Sequence, residues 1–148
     1  MKETIPNDFV IEIKNLKKSF GTLNVLSDIS LQLKKQENLV ILGKSGTGKS
    51  VLIKCIVRLL KADEGAIDVL GKEITSLNNV ELSEIRKKIG FLFQSGALYD
   101  SMTVKQNLEF PLRRIRKELS EDEIDAKVLE ALENVGLKDV LNKMPSEL

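Results

Sequence analysis

Eight consecutive residues, Gly43-Lys44-Ser45-Gly46-Thr47-Gly48-Lys49-Ser50, carry the most specific chemistry in this sequence. A glycine, four further residues and then Gly-Lys-Ser match the pattern G-x-x-x-x-G-K-[ST], which cradles phosphate. Glycine lets the backbone fold so that successive N–H groups point inward onto phosphate oxygens. A helix starting at the end of such a loop adds roughly half a unit of positive charge at its first turn. From there the Lys49 ammonium reaches the β- and γ-phosphates, and the Ser50 hydroxyl is placed to ligate Mg2+. With Gly at 9 of 148 positions, composition alone produces such a match about once in a hundred chains. Nucleotide binding is therefore preferred over a glycine-rich surface turn.

The flanking residues are of the kinds that would hold such a loop. Leu39-Val40-Ile41-Leu42 is apolar without alternation, predicting a central strand covered on both faces. A helical pattern follows the loop as far as Leu60, with Leu52, Ile53, Ile56, Val57 and Leu60 on one face. Upstream, Phe9 to Ile13 and Ile29 to Leu33 alternate apolar with polar residues. They predict two half-buried strands of an antiparallel sheet layered on the nucleotide core. Asn15 to Gly21 is expected to lead into a turn between them.

Downstream, Asp63-Glu64-Gly65 closes the first helical unit, and Ala66 to Leu70 predicts a short strand ended by Gly71. Leu82 and Ile85 belong to a helix ending near Lys88. Ile89 to Phe93 predicts a buried strand with Gln94 at its carboxyl end, where ligand groups gather in open α/β sheets. Thr103-Val104-Lys105-Gln106 fits a capping box that opens a helix ended by Pro111. Ser120 to Glu123 fits another, followed by the stripe Ile124, Val128, Ala131, Leu132 and Val135, with Gly136 as the stop.

Composition narrows the class. A chain of 148 residues, 42% hydrophobic and 30% charged, is most simply one globular domain. Its net charge of +1, with no basic run interleaved with aromatics, gives no support for nucleic acid as a partner. Cys55 is the only cysteine, so no internal disulfide exists, and a small buried packing residue is the reading for it. Met1-Lys2-Glu3-Thr4 lacks a signal-peptide core, and Val51 to Leu60 is interrupted by Lys54 and Arg58 and too short to span a bilayer. Any work at a membrane is expected from the cytoplasmic side, through a partner.

Four motifs in order now carry a family resemblance: Ser19-Phe20-Gly21, the loop Gly43 to Ser50, the strand ending Phe91-Leu92-Phe93-Gln94, and Pro145-Ser146-Glu147-Leu148. Together they resemble the ATP-binding subunit of an ABC transporter, from about Phe9 to Leu148. The segment Gln94 to Val104, followed by Asn107, Phe110, Pro111 and Leu112, resembles the Mla-type, MCE-associated phospholipid-transport ATPases in particular. The resemblance implies a P-loop NTPase core of the α/β class with an N-terminal antiparallel β subdomain and the beginning of a helical subdomain. Its expected division is an antiparallel β subdomain over 1–37, a nucleotide-binding core over 38–93, and the Q-loop with the start of the helical subdomain over 94–148.

The implied roles follow the motifs. Phe20 matches the aromatic that stacks on adenine, Gly43 through Ser50 the phosphate cradle, and Gln94 the glutamine that approaches Mg2+ and the attacking water. ATP and Mg2+ are the implied cofactors, with Lys49 and Gln94 in catalysis and Ser50 and Gln94 near the metal. The implied partners are an integral-membrane permease, a second ATPase subunit forming a homodimer, and an MCE-type lipid-binding protein. The implied location is the cytoplasmic face of the inner membrane, and the implied task is coupling ATP binding and hydrolysis to phospholipid transport.

The departures are equally specific. Leu148 aligns with the first residue of the family's signature motif, so the chain reads as an N-terminal fragment. None of its aspartates, including Asp63, Asp68 and Asp139, follows the four apolar residues of a Walker B strand. No catalytic Glu follows such a strand, and the switch histidine is absent because the chain has no His. Weak binding of Mg-ATP with negligible turnover is therefore expected. By the same analogy, strands flanking Leu39 to Leu42 would come from beyond Leu148, so uncovered apolar faces and marginal folding are expected.

Three other readings stand beside this one. A GTPase is suggested by Asp68-Val69-Leu70-Gly71, although Asn142-Lys143-Met144-Pro145 fails the guanine motif at its last position. A kinase with an arginine lid is suggested by Arg113, Arg114 and Arg116, which also suit a solvated helix face. A catalytically inactive module could instead dock a permease through residues 94–112.

Overall fold

In the computed structural model, two twelve-residue strands, β1 (Phe9–Phe20) and β2 (Leu23–Lys34), form a long antiparallel hairpin. Its two-residue turn places Gly21 at φ 59°, the first central position, where a type II′ turn requires glycine. Strand β3 (Glu64–Val69) pairs with β1, and the two-residue β4 (Lys72–Glu73) pairs with β3. The sheet order is β2-β1-β3-β4, antiparallel throughout. This is the antiparallel sheet that the alternating residues predicted, and it draws its strands from both sides of residue 37.

The structure describes residues 8–94, 96–137 and 139–148. They fall into two compact units, Met1–Gly90 and Phe91–Leu148. The residue pattern predicted a strand over Phe9 to Ile13, with Asn15 to Gly21 leading into a turn. The turn does follow Phe20, but β1 itself continues through Asn15 to Phe20. A bulge makes this possible. Asn15 takes φ 50° and the register with β2 shifts between Ile13 and Leu16. One extra residue there returns Leu16 to the face that Ile13 already occupies, and both are fully buried. The Asn15 main-chain N–H donates to Ser30 Oγ and its amide donates to Asp28 Oδ1. Gly65, at φ 91°, crosses over this bulge; a Cβ there would lie 2.6 Å from the carbonyl oxygens of Lys14 and Asn15.

Two helices complete the first core. α1 (Lys49–Ile56) contributes Leu52 and Cys55, and α2 (Asn79–Arg86) contributes Leu82 and Ile85. Burial raises the Cys55 thiol above its ordinary pKa, as suits a packing residue. α1 stops at Ile56 rather than continuing to Leu60. Arg58 adopts φ 52°, the Leu59 N–H donates to the Lys54 carbonyl, and the Arg58 N–H donates to that of Cys55. That is a Schellman ending. The guanidinium of Arg58 donates to the carbonyls of Ile74 and Leu77, which ties the unusual residue in place.

The second unit is built on α3 (Val104–Ile115) and α4 (Glu121–Asn134). Thr103 and Ser120 form the predicted capping boxes with Gln106 and Glu123. Gly136, at φ 74°, closes α4, with Leu137 N–H on the Leu132 carbonyl. The core contains Val104, Ile124, Val128, Leu132 and Val140, while Ala131 and Val135 of the expected stripe are exposed. Their offset is geometric: positions 124, 128 and 132 recur at four residues and already fill the buried row. Pro111 does not end α3. Leu108 and Leu112 on either side of it pack against this core, and that packing carries the helix past the missing N–H.

Leu39 to Leu42 and Ile89 to Phe93 were predicted as buried strands, and neither is a strand. Leu42 is 87% exposed and Leu92 88%. The cause is a lack of partners: among the described residues, every strand of the sheet belongs to the antiparallel hairpin system, and none pairs with these segments. An apolar run without a ladder on either side cannot hold strand geometry against hydration of its peptide groups.

Candidate functional site

The loop Gly43 to Ser50 turns on two glycines with positive φ, Gly46 at 83° and Gly48 at 91°. Gly48 is the N-cap of α1 and cannot be replaced without displacement. A Cβ there would lie 2.9 Å from Val25 Cγ1, 3.0 Å from the Val25 carbonyl oxygen and 3.1 Å from Leu26 Cδ2. The loop is thus seated directly on β2. Side chains knit its interior. Lys49 Nζ donates to the carbonyls of Gly43 at 2.8 Å and Lys44 at 2.7 Å, and Thr47 Oγ1 donates to the same Lys44 carbonyl at 2.9 Å.

The N–H groups tell the complementary story. α2, α3 and α4 each carry a side-chain capping box, whereas α1 has no side-chain cap and no acidic residue in its first turn. Among the described residues, no hydrogen bond is donated by the main-chain N–H groups of residues 44–48. Carbonyls are consumed by Lys49 and Thr47, while amides and the positive helix end remain available. That polarity suits a polyanion. The residues fit the phosphates of a nucleotide: a glycine-lined turn, free donors, and one ammonium.

Mg2+ fits in a more limited way. Ser50, the second residue of α1, is exposed and offers one hydroxyl. Among the described residues, no group of three or more His, Cys, Asp or Glu could hold a metal ion. Mg2+ commonly keeps few protein ligands and takes the remainder from phosphate and water. The ion would therefore come with the nucleotide rather than precede it.

Phe20 ends β1 and is 46% exposed, opposite Leu23 at the hairpin tip. Lys18 Nζ lies 5.3 Å from its ring centroid. Leu23 is two residues from Val25, the residue against which Gly48 packs, so the first unit gathers Phe20 and the phosphate loop on one hairpin. Gln94 is an exposed turn residue of the second unit. Two contacts near Phe20 were not legible in the sequence: Lys18 over its ring, and Asp63, which binds Lys18 at 2.6 Å from 45 positions away. Nothing local in the sequence marks that pairing.

Two residues of the competing motifs have structural places. Asp68 sits within β3, opposite Glu12 on one side and Glu73 on the other, and Leu70 and Gly71 form the following hairpin turn. Arg113 is held by Glu109 and Glu121, the latter at 2.6 Å from Nη2, which joins α3 to α4. These carboxylates push the guanidinium pKa upward and leave it a structural cation.

Comparison with known proteins agrees with this geometry. A family model described as ABC transporter matches residues 26–148. The methionine import ATP-binding protein MetN of Clostridium tetani is 42% identical over 139 residues, covering 94% of this chain and 43% of that protein. The intermembrane phospholipid transport system ATP-binding protein MlaF of Haemophilus influenzae is 42% identical over 142 residues, covering 96% of this chain and 53% of that protein. A solved dimeric structure of the ATP-binding cassette MJ0796, in a post-hydrolysis state bound to ADP and Pi, superposes with a TM-score of 0.82 at 32% identity. That match covers 93% of this chain and 62% of the solved one. The chain thus spans about half the length of these curated relatives.

Proposed function

This chain belongs to the ABC transporter family and carries part of its P-loop ATPase fold, and from that premise we propose that it is the nucleotide-holding part of a transporter's ATP-binding subunit. Gly43 through Ser50 hold the phosphates, and Lys49 leaves the carbonyls of Gly43 and Lys44 for the β- and γ-phosphate oxygens. Phe20 stacks on adenine, since any flat π-face can lie on an exposed aromatic. Ser50 is the polar group of the first unit assigned to Mg2+, which when bound would neutralise charge on the phosphates. The observation that carries this reading is the uncapped N-terminus of α1 behind a loop whose carbonyls are engaged and whose amides are not.

Phosphoryl transfer needs a metal-side carboxylate and a group that orients water, besides the cradle. The sequence has no Walker B aspartate, no glutamate following one, and no histidine. Binding without appreciable turnover is therefore proposed for this chain by itself. In the intact subunit the work would be transport coupled to ATP hydrolysis, at the cytoplasmic face of a bacterial inner membrane, with a permease and a second ATPase subunit. Phospholipid is the proposed cargo, with an MCE-type lipid-binding protein as a further partner. It rests on the segment Gln94 to Val104 and on the similarity to MlaF; MetN is equally similar overall, so the cargo depends on that segment rather than on identity.

Calorimetric titration with Mg-ATP tests the reading, with Lys49→Ala as control. Binding that Lys49→Ala weakens about tenfold or more supports it, as expected for a charge-assisted contact to phosphate. Equal binding by both chains, or Lys49-dependent turnover at rates near 10 per second, typical of enzymes, would overturn it.

A further inference from the structure

We propose that Asp63 is a positioning residue for the nucleotide base, acting through Lys18 on the ring of Phe20. The proposal rests on the reading of Phe20 as the base platform and adds what holds that platform still.

Asp63 lies directly before β3 and grips three consecutive residues of β1. Its N–H donates to the Lys17 carbonyl at 3.0 Å. Its Oδ2 accepts from the Ser19 main-chain N–H at 2.7 Å, and its Oδ1 accepts from Lys18 Nζ at 2.6 Å. Phe20 is the next residue. The Lys18 side chain is largely buried, and its ammonium sits over the Phe20 ring, 5.3 Å from the centroid. Across to β2, Ser19 Oγ donates to Asn24 Oδ1 at 2.8 Å, which pins the backbone of the tip.

An exposed aromatic at a hairpin tip ordinarily samples several orientations. A cation over one face attracts the ring's π-cloud and selects one of them. Lys18 takes one face of Phe20, so the opposite face is the one left for a base. The Lys18 ammonium, however, ends a flexible four-carbon stem. It stays over the ring because Asp63 fixes it. Without Asp63, both the ammonium and the Ser19 N–H lose their acceptor, and the ring regains its freedom before binding.

A merely architectural role, joining β1 to β3, would act on every ligand of the site alike. A positioning role acts on the base alone. The test is to titrate the chain with Mg-ATP and with Mg-tripolyphosphate, which has the phosphates and no base. Asp63→Ala and Asp63→Asn are each measured in the wild-type and Phe20→Ala backgrounds, with thermal melts to confirm folding. A base on an aromatic ring is worth about fivefold or more in affinity. Either Asp63 variant is expected to lose most of that for Mg-ATP, to leave Mg-tripolyphosphate unchanged, and to have no further effect once Phe20 is alanine.

Wild-type chain that binds both ligands while the Asp63 variants weaken both equally, or weaken neither, overturns the positioning role and leaves the phosphate loop intact. Wild-type chain that binds neither ligand overturns the nucleotide reading and this proposal with it. Asp63→Asn can still accept from the Ser19 N–H, so it keeps the test decisive if Asp63→Ala fails to fold.

Discussion

The carbonyl oxygen of Lys44 accepts a 2.7 Å hydrogen bond from Lys49 Nζ and a 2.9 Å hydrogen bond from Thr47 Oγ1. One acceptor therefore serves two donors with different futures. The ammonium is needed by phosphate, whereas the hydroxyl can stay and keep the loop closed when Lys49 departs. Thr47→Val keeps the shape and removes the hydroxyl. It is expected to weaken Mg-ATP binding about threefold to tenfold, the worth of one neutral hydrogen bond, while Thr47→Ser stays near wild type. Calorimetric titration of the three chains measures this, and equal affinities for all three would exclude the tie.

Gly48 combines a left-handed backbone with a crowded neighbourhood, and Gly46 has the first without the second. A Cβ at Gly48 meets Val25 and Leu26 within 3.1 Å, while one at Gly46 meets nothing within 4 Å. Both carry a positive φ. Gly46→Ala is expected to cost about 1 kcal/mol from backbone strain alone. Gly48→Ala is expected to cost about 2–4 kcal/mol because overpacking adds to the same strain. Urea midpoints of the two variants test the difference, and an equal loss would show that β2 yields to the loop.

Much of this was legible because the governing signals are local. The loop, the boxes at Thr103 and Ser120, the Gly136 stop and the buried Cys55 each follow from a few adjacent residues. What failed depended on distant partners. Leu39 to Leu42 reads as a strand by its composition, but a strand needs a neighbour, and among the described residues no strand pairs with it. The bulge at Asn15 hid the second half of β1, because its purpose is set by Gly65, fifty positions later. Asp63 was read, with Glu64 and Gly65, as closing the first helical unit, because Lys18 and Ser19 are far away in sequence.

Acid should unfold the chain from one side only. Glu12 is held below its ordinary pKa by Lys14 and Gln32, and Asp63 by Lys18 and the Ser19 N–H. Glu84 is lowered by Lys87, Glu121 by Arg113, and Glu123 by the Ser120 N–H and hydroxyl. A carboxyl lowered in the folded state contributes stability above its unfolded value, and that contribution is lost as pH falls through the folded one. Stability is thus expected to be level from the ordinary carboxylate values, 3.8 for Asp and 4.5 for Glu, up to about neutral pH, and to decline below them. These pairs are solvated, so added salt should flatten the decline. Denaturant midpoints across this range, with Glu121→Gln showing a shallower fall, check the sign; stability that rises on acidification would refute it.

Pro111 occupies the eighth position of the twelve-residue α3, where it donates no hydrogen bond and crowds the carbonyl of Asn107. The helix survives because Leu108 and Leu112 are anchored in the second core and the Thr103 box secures the first turn. Pro111 itself is exposed, so its ring contributes little packing to offset that loss. Pro111→Ala should restore the N–H without opening a cavity. It is expected to stabilise the second unit by about 1–3 kcal/mol, up to the cost of proline in a helix interior. Amide exchange along α3 gives the most direct reading, since slower exchange should spread from the restored turn toward Ile115 rather than through α4. If exchange is unchanged and the melting midpoint falls, Pro111 is held by contacts of its own ring, and the anchoring assigned to Leu108 and Leu112 would not explain why α3 runs on.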